Sequence, residues 1–174
     1  MRQKVSAKAV AQFMKALGRA GKTSTHIYFV GGVSAVLLGW RESTIDIDLK
    51  MVPEANDILK TLPVLKKQLQ VNVELASPDD FIPALPGWQE RSTFISREGT
   101  IDFFHYDFYA QALAKIERGH NTDLLDVRQM IELRMVEPTR LLEFFSRIED
   151  RLYKYPAIDA DSFRSAVHSF LETL

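Results

Sequence analysis

Apolar positions recur along the 174-residue chain with two different periods, and the switches between them delimit the elements. Val10, Phe13, Met14 and Leu17 fall at i, i+3, i+4 and i+7, the stripe of an amphipathic helix, with Ser6 as its N-cap and Gly18 or Gly21 near its end. "HIYFV" (26–30) is a β-branched and aromatic run that predicts a buried strand. After Gly31-Gly32, "VSAVLLGW" predicts a helix closing at Gly39. "STIDIDLKM" then alternates Ile45, Ile47 and Leu49 against Thr44, Asp46, Asp48 and Lys50, the period of a strand with one buried face. Pro53 opens a helical stretch that should kink or restart at Pro63. "VNVELAS" (71–77) alternates again, Val71, Val73 and Leu75 to one side, Asn72, Glu74 and Ala76 to the other. Three prolines and a glycine mark "PDDFIPALPGW" as a loop, and "ERSTFISREGTIDFFHYD" predicts a hairpin turning at Glu98-Gly99. From Phe108 the period is helical throughout, in "FYAQALAKIERG", "NTDLLDVRQMIELR", "PTRLLEFFSRIEDRLYKY" and "DADSFRSAVHSFLETL".

The predicted order is α-β-α-β-α-β-β-β followed by four helices, so the chain divides into an α/β part over 1–107 and an all-α part over 108–174. A hydrophobic content of 46% supports a packed core. Lys and Arg number 22 against 23 Asp and Glu, so no global basic field draws the chain to nucleic acid, and a polynucleotide partner would need a local patch. The absence of cysteine removes disulfides, thiolate zinc sites and cysteine nucleophiles together. His26, His105, His120 and His168 lack zinc-ligand spacing, and no serine sits in a G-x-S-x-G setting. The N-terminal "MRQKVSAKAVAQFMKALGRA" has scattered basic residues and no long apolar segment. The longest apolar stretch, Ile27 to Trp40, is too short for a bilayer. A cytoplasmic protein with no membrane association is expected.

Two features of the α/β part carry chemistry. Asp46 and Asp48, at i and i+2 of a strand, leave the same face, where two like charges repel unless a cation lies between them. Hard carboxylate oxygens suit Mg²⁺, which uses one or two of them together with substrate phosphates. Read alone, the pair equally describes the solvated side of an edge strand. Gly31-Gly32, ending one strand and opening a helix, lets backbone approach a phosphate and aims free N–H groups at it, with the Ser34 hydroxyl in the first turn. Read alone, an isolated glycine pair of this kind is more often an ordinary tight turn. Together they form a signal that neither has separately. Two-metal phosphoryl transfer asks for a further carboxylate. Glu74 in "VNVEL" is the first choice, and Asp102 in "TIDFF" has the same local pattern.

These residues resemble the nucleotidyltransferase superfamily built on the DNA polymerase β-like fold, whose pattern is a diglycine at a helix start, h-D-h-D-h on the next strand, and a third acid between apolar residues. Here those are Gly31-Gly32, Ile45-Asp46-Ile47-Asp48-Leu49 and Val73-Glu74-Leu75, and the resemblance covers roughly residues 26 to 126. Arg41, Thr44 and Asp46 are similar to an R-x-T-x-D-h-D stretch of toxin-like members, with Arg41 one position further out. "ALAKIERGHNTDLLDV" supplies Lys115, Arg118, Asp123 and Asp126 toward a K-x-x-x-R and D-x-x-D motif, its first gap one residue shorter. In such proteins the lysine and arginine face the triphosphate. Salt bridges stapling two helices are an equal reading of the same four residues. "NVELASPDDFIP" and "QALAKIERGH" are most similar to uncharacterised bacterial nucleotidyltransferase-like proteins related to abortive-infection and toxin–antitoxin enzymes.

The resemblance implies an α+β fold, a nucleotidyltransferase-type mixed sheet flanked by helices with a C-terminal helical bundle packed on it. It further implies an NTP substrate, Mg²⁺ or Mn²⁺ on Asp46, Asp48 and Glu74, and NMP transfer to a hydroxyl of RNA, protein or a small molecule. Nucleotide-binding roles would fall to Gly31, Gly32, Ser34, Arg41, Thr44, Lys115 and Arg118, and a cognate toxin or antitoxin would be the partner. The alternative is a binding or regulatory module that keeps the fold without turnover.

Overall fold

The computed structural model describes residues 3–174. The chain separates into two compact units: one holds the residues up to Ser77 together with Ser92–Tyr106, the other Pro78–Arg91 and Asp107–Leu174.

The first unit is built on a five-stranded mixed sheet. Its elements are α1 (Ala7–Ala20), β1 (Thr25–Val30), α2 (Gly32–Leu38), β2 (Asp46–Val52), α3 (Asn56–Leu69), β3 (Asn72–Leu75), β4 (Thr93–Glu98) and β5 (Ile101–His105). The strand order is β3-β2-β1-β5-β4. β1 lies antiparallel to β2 and parallel to β5, β2 is parallel to β3, and β4 is antiparallel to β5. Alternation sorts the strand residues onto two faces. Ile27, Phe29, Ile47, Leu49, Met51, Val73, Ile101 and Phe103 join Val10, Phe13, Leu17, Ile58, Leu62 and Leu65 of α1 and α3 in one apolar core. Phe29 stacks on Phe103 at 5.5 Å between ring centroids and meets Phe13 at 6.4 Å. Each such side chain contributes about 1.5–3 kcal/mol by leaving water. The opposite face carries His26, Tyr28, Asp46, Asp48, Lys50, Asn72, Glu74, Asp102 and Phe104, so the core fixes by period alone which side the acids take.

The second unit contains a 3₁₀ turn (Pro78–Asp80), α4 (Trp88–Arg91), α5 (Phe108–Arg118), α6 (Asn121–Glu132), α7 (Pro138–Ile148), a 3₁₀ segment (Glu149–Lys154) and α8 (Ala160–Glu172). Asp107 caps α5 by accepting from the Tyr109 N–H at 3.2 Å, and Asp159 caps α8 through the Asp161 N–H. Phe145 and Phe163 meet edge-on at 4.9 Å. Among the described residues no helix is long and apolar enough to cross a membrane.

The structure differs from the sequence reading at several boundaries. α3 runs continuously through Pro63, whose ring sits in a helix held by the burial of Ile58, Leu62 and Leu65, and it starts at Asn56, three residues after Pro53. The 78–88 stretch read as loop contains the 3₁₀ turn and leads into α4. β2 begins at Asp46, leaving Ile45 42% exposed, and at the sheet's edge Leu75 is 56% exposed although its parity matches Val73.

Candidate functional site

Asp46 and Asp48 stand half-buried on the polar face of β2, separated by the fully buried Ile47. β3 runs alongside in parallel register, pairing Asp46 with Asn72 and Asp48 with Glu74. With strands about 4.8 Å apart, Glu74 is the lateral neighbour of Asp48 on the same face. The Asn72 side chain lies between the acids. Its Nδ2 donates to Asp46 Oδ1 at 2.7 Å and to Glu74 Oε1 at 3.0 Å, so a single amide bridges the first and third carboxylates. Asn72 escaped the sequence reading, yet the signal was there: it stands two positions before Glu74, on the same side of the same alternation.

The diglycine lies at the end of β1, where Val30 pairs with Asp48. Gly31 adopts φ +63°, the left-handed region that favours glycine, and a Cβ there would stand 3.8 Å from Asp48 Oδ2. Gly32 is required for space: a Cβ would fall 2.1 Å from Thr44 Oγ1 and 2.7 Å from Thr44 Cβ, with Arg41 Nη1 at 3.6 Å. Thr44 is itself held by two backbone hydrogen bonds to Val5, at 2.7 and 2.9 Å. The turn, Thr44, Arg41 and the β2 acids are therefore one neighbourhood. Ser34 is packed against the end of β5. Its side chain is fully buried and its hydroxyl is 2.8 Å from His105 Nδ1, so it ties α2 to the end of β5 instead of facing a ligand. Burial pushes the His105 imidazole down to about 4, and the ring is neutral at ordinary pH.

Asp102 is separated from the other acids. It pairs in register with His26, four residues before Val30 on β1, which places it about 13 Å along the strand from Asp48. Arg97 holds it through bonds of 2.6 and 2.9 Å, and these, with the nearby His26, keep its carboxyl below the usual range despite partial burial. Together with Ser24, Thr25 and Thr100 it lines a shallow cavity of about 150 Å³.

In the second unit Lys115 and Arg118 of α5 meet Asp123 and Asp126 of α6. Lys115 Nζ lies 2.8 Å from Asp126 Oδ2 and 3.5 Å from Asp123 Oδ1, and all three side chains are at most 7% exposed. Arg118 Nε donates to Asp123 Oδ2 at 2.8 Å while its Nη2 binds Asp123 Oδ1. Burial by itself would raise the Asp123 carboxyl, but Arg118 and Lys115 outweigh it and hold it below its ordinary value. Lys115, Asp123 and Asp126 thus form a buried ionic staple between two helices, with the more exposed Arg118 closing it from outside, as one reading of the sequence had it.

The model of a family described as "Nucleotidyltransferase of unknown function (DUF6036)" matches residues 7–168. The chain belongs to this family. No curated protein and no solved structure matches it.

In this nucleotidyltransferase family member, Asp46 and Asp48 offer hard oxygen donors beside a turn that admits backbone to close approach, a combination that fits a divalent cation bound jointly with phosphate oxygens. Among the described residues no three carboxylate or imidazole side chains are already gathered as a metal cage. The donor set therefore suits an ion held by the two β2 carboxylates and completed by substrate.

Proposed function

We propose that the protein is a Mg²⁺-dependent nucleotidyltransferase that moves a nucleoside monophosphate from an NTP to a hydroxyl acceptor. The observation carrying this reading is the registered placement of Asp46, Asp48 and Glu74 on one sheet face, with Gly31 packed beside Asp48. Asp46 and Asp48 would hold the ion, with Glu74 as the third acid, and Mn²⁺ would serve in its place. The ion, when bound, would neutralise the triphosphate and acidify the attacking hydroxyl. Gly31 and Gly32 leave room for the phosphates, and Arg41, close to Gly32, supplies positive charge there. The acceptor oxygen forms a bond to the α-phosphorus, the bond from that phosphorus to the oxygen bridging to the β-phosphate breaks, and pyrophosphate leaves. The exposed Glu74 carboxylate takes the acceptor's proton.

The acceptor is a hydroxyl of RNA, protein or a small molecule. The resemblance to toxin-like members supports a cytoplasmic setting in toxin–antitoxin or phage defence, with a cognate partner protein. Asp46→Asn removes a charged ligand without changing side-chain volume. It is expected to abolish label transfer from [α-³²P]NTP to cellular RNA or protein, with an unchanged far-UV circular dichroism spectrum. Full activity in Asp46→Asn would refute the site. A metal-dependent rise in melting temperature with NTP, lost in the same variant, is the companion result.

A further inference from the structure

We infer that Asn72 is a positioning residue for the cation site, an inference that rests on the reading of Asp46 and Asp48 as metal ligands. Three carboxylates share one face of two adjacent strands, and without a counter-charge they push one another apart. Asn72 lodges an amide between two of them. One nitrogen donates both of its hydrogens, to Asp46 at 2.7 Å and to Glu74 at 3.0 Å. Both acceptors are carboxylate oxygens, the stronger class of hydrogen-bond acceptor.

The geometry has two effects. Holding Asp46 by Oδ1 restrains the plane of that carboxylate, the relation that outer hydrogen bonds generally have to metal-ligating carboxylates. Holding Glu74 by Oε1 turns an exposed, flexible side chain at the sheet edge toward β2 and keeps it there in the metal-free protein. Neither effect is available to the neighbours of Asn72, because Val71 and Val73 lie on the opposite, buried side of β3. An aspartate at this position would add a further negative charge among acids that already repel. An alanine would remove both of these hydrogen bonds.

The test uses the full chain with Mn²⁺ as paramagnetic probe, counting free Mn²⁺ by electron paramagnetic resonance with and without a non-hydrolysable NTP analogue. Asn72→Ala is expected to weaken Mn²⁺ binding about 10–100-fold while leaving the far-UV spectrum unchanged. Asn72→Asp is expected to melt lower than Asn72→Ala in the absence of metal and to gain more from saturating Mn²⁺ than the wild type does. If Asn72→Ala does not fold, that Mn²⁺-dependent gain in Asn72→Asp carries the test alone. Wild-type Mn²⁺ affinity in Asn72→Ala, or an Asn72→Asp protein that gains no more from Mn²⁺ than wild type, overturns the positioning role and leaves the metal site standing. Failure of the wild type to bind Mn²⁺ with or without nucleotide overturns the site and this inference together.

Discussion

Lys115 poses a question that a pair of substitutions can answer. Its ammonium is buried, with Asp126 at 2.8 Å and Asp123 at 3.5 Å, and Asp123 is shared with Arg118. Removing one partner of a buried ion pair strands the other charge, which costs about 3–5 kcal/mol. Since Asp123 remains within reach of Lys115, Asp126→Ala should fall near the lower end of that range. For a chain of this length each kcal/mol lowers the melting temperature by roughly 2–4 °C, so a loss of about 6–12 °C is expected. Replacing the pair together, as Lys115→Met with Asp126→Leu, removes both the attraction and the desolvation penalty and should recover most of the loss. Differential scanning calorimetry on wild type, Lys115→Met, Asp126→Leu and the double variant closes the cycle and yields the coupling energy. An Asp126→Ala protein melting within 2 °C of wild type, or a double variant no more stable than Asp126→Ala, would refute the staple. Label transfer measured on the stable double variant then separates the two readings of the motif. Activity retained shows that Lys115 serves the fold, and activity lost with stability restored shows that it also serves the nucleotide.

Two further outcomes follow from the first unit. Gly32→Ala drives a methyl group into Thr44, which its bonds to Val5 hold in place, and should destabilise by about 1–3 kcal/mol. Pairing it with Thr44→Gly should rescue stability, and an unchanged melting temperature in the single variant contradicts the packing argument. His105 has its folded value at about 4, below the ordinary 6.5, so between these pH values the unfolded chain takes up a proton that the folded one refuses. The stability it contributes is complete above pH 6.5 and declines as pH falls toward 4, by about 3 kcal/mol in all. A His105→Gln variant should show a correspondingly flatter urea-unfolding profile across that window, and parallel profiles would refute the assignment.

Alternation in the sequence located β2 and β3, a β-branched and aromatic run located β1, and the turn at Glu98-Gly99 located β4 and β5. Their pairing was not legible, since strand order depends on contacts between residues far apart in the chain. Pro63 misled for a related reason: local propensity argues for a break, and the burial of Ile58, Leu62 and Leu65 overrides it. Glu74 and Asp102 share one local pattern, an acid between apolar neighbours, and only register separates them. Ser34 shows the same limit. Its place in a first turn suggested a ligand, whereas the His105 ring it hydrogen-bonds lies 71 residues away. Asn72 was within reach of the same alternation that exposed Asp46 and Asp48, but attention to charge passes over a neutral amide.

The parallel pairing of β2 with β3 makes the arrangement of acids discrete instead of gradual. The segment between the strands, α3 and its connections, can lengthen or shorten with little geometric effect on the carboxylates, because the ladder of backbone bonds resets their alignment. A slip of a single residue along that ladder has no mild form. It would turn Glu74 and Asn72 into the apolar layer and bring Val73 out in their place. Insertions among relatives should accordingly collect in the connecting helix and its ends, and the four residues of β3 should keep their count.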